Sequence, residues 1–337
     1  MPTNTESTLR MHIRHHAFWW FYGIAVFIAS TVVFLRTLFD DSNILPKFWV
    51  FIKDNDLYIN LISITRFSVE EPFWAWSGRF FGGAPTIAAI IVVAIIWGWP
   101  GLKHLFSRLK PWRNGVTWRE GLRIYGVMIL IYVGLIGFFS SMVAFYGEPQ
   151  ELKDYFTVLG GIPIAIYLTL LLGTLIDEGG TMEELGWRGF ALPMLLNRMA
   201  NPLLASILLG FLWWFWHFPR EIPILFGDGE MMETLYKGSY WRFTLAQLSF
   251  VSLTIALSIL CTYAFNLTGG SALTAIIIHG GSNALAKSSA TFMSGFSLDL
   301  PTDLRGIVIT LMAITVLLIA GPKLGQRSTP DPAMPYN

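Results

Sequence analysis

Charge is what this sequence has least of. Lys, Arg, Asp and Glu make up only 13% of its 337 residues, against roughly 25% in an ordinary soluble domain. The two signs nearly cancel, 23 basic against 22 acidic, for a net charge of +1. No basic field or basic-aromatic stripe is therefore available to hold nucleic acid. The single cysteine, Cys261, excludes an internal disulfide and a Cys-based metal site, and it leaves the redox compartment unread. It sits in an apolar run and reads as a small apolar filler. Also missing are a P-loop, a GxGxxG fingerprint, an HExxH zinc motif and any internal repeat.

What fills the space is apolar. Hydrophobic residues reach 54%, with 14 Trp and 26 Phe, and mean hydropathy is +0.55. A membrane helix needs about 20 such residues to cross roughly 30 Å of hydrocarbon. Runs of that kind lie at 17–35, 80–99, 124–146, 156–176, 243–265 and 306–320, with shorter ones at 202–218 and 271–286. The expected fold is an all-α polytopic membrane protein with about eight crossings. A ninth follows if 182–199 also spans. The first run lacks a small-residue cleavage site and reads as a retained helix.

Between the runs, residues 1–16 read as a mobile polar tail, 36–79 as a long loop, and the segment after Gly321 as disordered. Residues 100–123 hold six basic side chains (Lys103, Arg108, Lys110, Arg113, Arg119, Arg123) against one Glu. Such an excess favours the cytoplasm, which places the N-terminus there too, two crossings away. The acidic loop 147–155 then lies outside.

Ionisable residues inside such runs cost about 2.5–3.5 kcal/mol at the bilayer centre on insertion scales, and so point to function. Three clusters stand out: Glu183, Glu184 and Arg188 in "EELGWRGF"; His217 in "WWFWH"; His279 and Asn283 in "HGGSN". On a helix Glu184 and Arg188 share a face and pair. Glu183 lies about 100° round from Glu184 and is left for other work. His279 and Asn283, four apart, point the same way. Trp213 sits one turn before His217, and Pro219 is expected to end that helix. From Glu183 to Met199 a helix rises about 24 Å, and after the Asn201-Pro202 turn the chain returns about 21 Å to His217. An antiparallel hairpin thus brings Glu183 and His217 to similar depth, inside the helical bundle. Asp177 and Glu178 read as solvated loop charges.

These three motifs, EExxxR, F/WxxxH and HxxxN, occur in order and resemble those of the CAAX-protease and bacteriocin-processing (CPBP, Abi) family of intramembrane proteases, to which the Ras-converting CAAX endopeptidases belong. "EELGWRGFALP" is especially close to the bacterial branch. The resemblance covers residues 156–290, which it marks as the protease core. Residues 1–155 remain three helices and a tail of unassigned role, and 291–337 a last helix and tail. It implies an intramembrane endopeptidase in which Glu183 activates a water held by His217. His279 and Asn283 then bind the developing oxyanion, and Glu184 and Arg188 brace the site. Trp213 stands where the family often has Phe, a conservative change. A carboxylate facing a partly dry cavity is a better base near neutral pH.

Glu183, His217 and His279 could also form a three-ligand zinc site with an open position. The resemblance favours metal-free chemistry, with Zn2+ as the alternative. The expected partners are a peptide or protein substrate at the membrane, the lipid bilayer and a membrane partner protein. The expected location is a bacterial plasma membrane. Two other functions stay open: a non-catalytic immunity or scaffold protein of the same fold, and a polytopic transporter, which the absence of paired repeat halves disfavours.

Overall fold

A computed structural model describes residues 8–39, 69–113, 115–146, 177–227, 229–295 and 304–326. Among them every regular element is a helix. In chain order these are α1 (Thr8–His15), α2 (Ala17–Phe39), α3 (Pro72–Ser107), α4 (Trp118–Tyr146) and α5 (Glu178–Glu184). After α5 come a π-helical segment (Leu185–Ala191), α6 (Leu192–Arg198), α7 (Pro202–His217), α8 (Ile222–Phe226), α9 (Glu230–Tyr236), α10 (Tyr240–Leu267), α11 (Leu273–Gly295) and α12 (Leu304–Ala320). Six stretches among the described residues are long and apolar enough to cross a bilayer: 17–38, 72–107, 118–139, 202–226, 240–267 and 304–323. A shorter apolar stretch covers Leu273–Ala286. Phe27, Phe34, Leu311 and Leu318 point outward from their helices, as lipid-facing residues do. The chain is an all-α, multi-pass integral membrane protein. The count of eight is not reached among the described residues, and the candidate crossing 156–176 and the acidic loop 147–155 lie outside them.

Several boundaries differ from the sequence reading. Residues 8–15 are a docked helix rather than a loose tail: Ile13 is buried, and the Arg10 guanidinium donates to the Ile96 carbonyl at 2.6 Å. That carbonyl needs an outside donor because Pro100, four residues on, has no N–H. Gly98 bends α3 at the same place, with φ 59° and ψ −149°, a conformation open essentially to glycine alone. Part of the supposed loop 36–79 belongs to α3, which starts at Pro72. Polar and aromatic residues at that end broke the apolar run. The basic stretch 100–123 is no free loop either. Helices claim both its ends, and Arg108 is fully buried. Arg108 donates to the Gly270 carbonyl, its own carbonyl accepts from Ala272 N–H, and Ser271 Oγ bonds the Lys110 carbonyl. The turn before α4 is thus fastened to the turn before α11. At the other end, residues 321–326 are ordered: Leu324 is buried and its carbonyl accepts from Asn266 Nδ2. The remaining tail, 327–337, lies outside the described residues.

The expected hairpin forms. Asn201 Oδ1 accepts from the N–H groups of Leu203 and Leu204, and Pro202 occupies the first helical turn, where its missing N–H costs nothing. The first arm is α5, the π segment and α6 in one line; the return arm is α7. α3 packs against α2, α5 and the π segment, α7 against α10, and α11 against α4, α5 and α10. Glycines allow the closest approaches. A Cβ at Gly210 would stand 2.5 Å from Ile255 Cα, and one at Gly281 would press 2.6 Å from the Tyr132 ring. Without a hydrophobic drive between helices in lipid, such small-residue seams let backbones approach and gain dispersion. The N-terminal helices reach the same core. Phe21 packs edge-on to Trp187, Tyr22 Oη donates to the Leu212 carbonyl, and Trp216 Nε1 donates to the Ala25 carbonyl.

Candidate active site

Glu184 and Arg188 are fully buried and form an i,i+4 ion pair, Arg188 Nη1 reaching both carboxylate oxygens at 2.9 and 2.8 Å. The pairing inferred from helical spacing is therefore present, though the turn that carries it is widened. From Leu185 the helix is π-helical, and the Leu192 N–H bonds the Trp187 carbonyl five residues back. One-turn widenings of this kind often sit at functional sites. Here the π segment lies directly on α3: the Gly186 N–H donates to Thr86 Oγ1, and a Cβ at Gly186 would collide with the backbone of Pro85.

Glu184 has a second partner that spacing could not reveal. His279 Nδ1 lies 2.9 Å from its Oε1. A carboxylate only accepts, so Nδ1 carries the hydrogen and Nε2 is the ring nitrogen left for other contacts. Nε2 lies on the side of Gly179, where a Cβ would be 3.3 Å from it. Glu184 thus clamps Arg188 on its own helix and orients the imidazole of α11.

Trp213 joins the clusters. Its indole Nε1 donates to Glu183 Oε2 at 2.8 Å. Its ring centroid lies 5.0 Å from that of His279 and 6.2 Å from that of His217, and 4.5 Å from the Arg188 guanidinium carbon. Reading this position as a conservative replacement of Phe therefore misses a hydrogen bond, since Phe has no N–H to give. His217 Nδ1 lies 2.9 Å from the Trp213 carbonyl, which again only accepts. Its Nδ1 is the protonated nitrogen, and Nε2 keeps a lone pair. Glu183, His217 and His279 are all buried. The aromatic wall around His217 is Trp213, Trp216, Phe81 and Phe250.

Asn283 belongs to the same place. Its Nδ2 donates to Asp177 Oδ2 at 3.0 Å, and Arg305 Nη1 donates to its Oδ1 at 3.2 Å. Asp177 is therefore no solvated loop charge. It is half-buried and N-caps α5 by accepting from the Gly180 N–H at 2.7 Å. The sequence signal was available: an Asp directly before a helix start is a standard capping residue. Arg305, on α12, carried no such signal. All seven residues singled out from the motifs thus gather where α5, the π segment, α7 and α11 meet.

Among the described residues no three His, Cys, Asp or Glu side chains gather as a metal-holding group. His279 Nδ1, His217 Nδ1 and Glu183 Oε2 each have a protein partner, which leaves Nε2 of the two rings as the nitrogens that could hold a cation.

Residues 161–285 match the family model described as type II CAAX prenyl endopeptidase Rce1-like. A curated relative named CAAX prenyl protease 2, from Methanococcus maripaludis, is 33% identical over 99 residues, which cover 29% of this chain and 33% of the relative. The aligned part of the chain thus spans about a third of the length of that relative. No solved structure matches significantly. The matched segment contains every candidate site residue from Glu183 to Asn283, and its similarity is to the CAAX-protease family.

Proposed function

We propose, from the similarity of residues 161–285 to the CAAX-protease family, that this chain is an intramembrane endopeptidase acting on a membrane-associated peptide, with a prenylated CAAX-type C-terminus as the first substrate to try. The observation that carries the reading is the Trp213 bridge. It puts the Glu183 carboxylate beside two imidazoles contributed by two other helices. Hydrolysis needs a base for water and donors for the oxyanion, and the residues can be cast in those roles. Glu183 takes a proton from a water whose other hydrogen rests on His217 Nε2. The water oxygen bonds to the peptide carbonyl carbon. The carbonyl oxygen, now negative, accepts from Asn283 Nδ2–H and from His279 Nε2 when that nitrogen is protonated. Breaking the C–N bond then sends the proton from Glu183 to the departing amine. Glu184 and Arg188 touch no substrate; they hold His279 and close the local charge.

The reaction as drawn uses no resident metal. What supports this is that no three His, Cys, Asp or Glu side chains gather as a metal-holding group among the described residues. Dialysis against a chelator should leave activity unchanged, and elemental analysis of active protein should find less than one zinc per chain. We also place the N-terminus and the 108–117 turn on the cytoplasmic side, from the basic residues around that turn.

The test is cleavage of a farnesylated CAAX peptide, and of the same peptide unprenylated, by membranes holding the wild type or Glu183→Gln. Release of the C-terminal tripeptide by the wild type alone supports the reading. Equal release by Glu183→Gln membranes would remove it.

A further inference from the structure

The Asn283 carboxamide is held from both ends by groups of opposite capacity. Asp177 Oδ2 takes a hydrogen from Asn283 Nδ2 while also taking the Gly180 N–H, and Arg305 Nη1 gives one to Asn283 Oδ1. A carboxylate has no hydrogen to offer and a guanidinium has no lone pair. Flipping the amide would set oxygen against carboxylate and NH2 against guanidinium. The orientation is therefore dictated by partners from two other elements, the start of α5 and the start of α12. One Nδ2 hydrogen is used by Asp177, and the other stays available. A Cβ at Gly179 would stand 3.3 Å from Asn283 Nδ2, His279 Nε2 and Asp177 Oδ2 alike. The two HxxxN side chains thus converge over a residue that has no side chain.

We infer that Asp177 and Arg305 are positioning residues that lock the Asn283 amide with its remaining N–H beside His279 Nε2, over Gly179. The inference rests on the protease reading for its purpose, since that N–H is the one offered to the oxyanion. A one-ångström error in such a donor costs about a hundredfold in rate.

The experiment follows the full chain in lipid nanodiscs by two independent readouts. The first is the exchange rate of the Asn283 side-chain amide hydrogens with solvent, in protein labelled with 15N at Asn; the signal is identified by its loss in Asn283→Ala. The second is kcat and KM on the farnesylated CAAX peptide, with thermal unfolding measured alongside. Arg305→Gln should speed Asn283 exchange and lower kcat about a hundredfold with KM and unfolding temperature little changed. Arg305→Lys should recover part of both. The exchange pair Asp177→Asn with Asn283→Asp keeps a donor facing an acceptor between the two side chains but gives up the Gly180 cap on the shared oxygen and removes the N–H offered to substrate, so it should fold with some loss of stability and without turnover. The inference is overturned if Asn283 exchange is the same in wild type, Arg305→Gln and Asp177→Ala, or if kcat falls only in step with lost stability. A wild type inert towards the peptide, with exchange still responding to both substitutions, would instead sink the protease reading and leave the locked amide standing.

Discussion

Trp213 Nε1 donates to Glu183 Oε2 across the helical hairpin, at 2.8 Å and out of reach of bulk water. The indole touches the carboxylate, lies near both imidazoles and covers the Arg188 guanidinium.

Replacing Trp213 by Phe keeps a ring and deletes that donor. A hydrogen bond to a charged group contributes about 1.5–3 kcal/mol, so kcat on the CAAX peptide should fall roughly tenfold to a hundredfold. Wild-type turnover in Trp213→Phe would show that the indole N–H is idle.

The two adjacent carboxylates should separate cleanly. Glu183→Gln keeps its shape and should unfold near the wild-type temperature while losing turnover. Glu184→Gln strands Arg188 and releases His279, and breaking a buried pair costs about 3–5 kcal/mol. Thermal unfolding in the same detergent checks both, and an unshifted Glu184→Gln transition would deny that carboxylate its structural role.

Neighbouring glycines 179 and 180 should also part ways. A Cβ at Gly180 would stand 2.8 Å from the Ile276 carbonyl oxygen, pushing α5 off α11, so Gly180→Ala should lower the unfolding temperature. A Cβ at Gly179 is tight but touches only side-chain atoms. Gly179→Ala should therefore fold and lose activity. The opposite pattern would misplace the site.

Far from the site, Gly98→Ala forces a residue with a side chain into backbone angles that cost about 1–3 kcal/mol. Arg10→Met leaves the Ile96 carbonyl without its donor, at about 1–3 kcal/mol. Denaturation of each variant against wild type reads these losses, which should arise without change in kcat.

How much of this was legible beforehand depended on range. The Glu184–Arg188 pair follows from an i,i+4 spacing, and the Asn201-Pro202 turn from capping chemistry, so both could be read locally. The link from Glu184 to His279 spans 95 residues, and no periodicity encodes it. The Trp213 donor escapes the sequence because spacing reports where a side chain sits and not what its N–H meets. Asp177 was misread because it follows an uncharged run, where a charge looks like an interfacial marker. The ends of α3 were misjudged for a related reason: apolar run length is blind to a bend at Gly98 and to a polar, aromatic first turn.

The bare Gly210 surface against Ile255 has a mechanical meaning. Where two main chains touch with no side chain between them, neither strut can slide or roll without collision, so α7 and α10 behave as a single beam carrying His217. Any displacement of His217 would therefore drag α10 along with it.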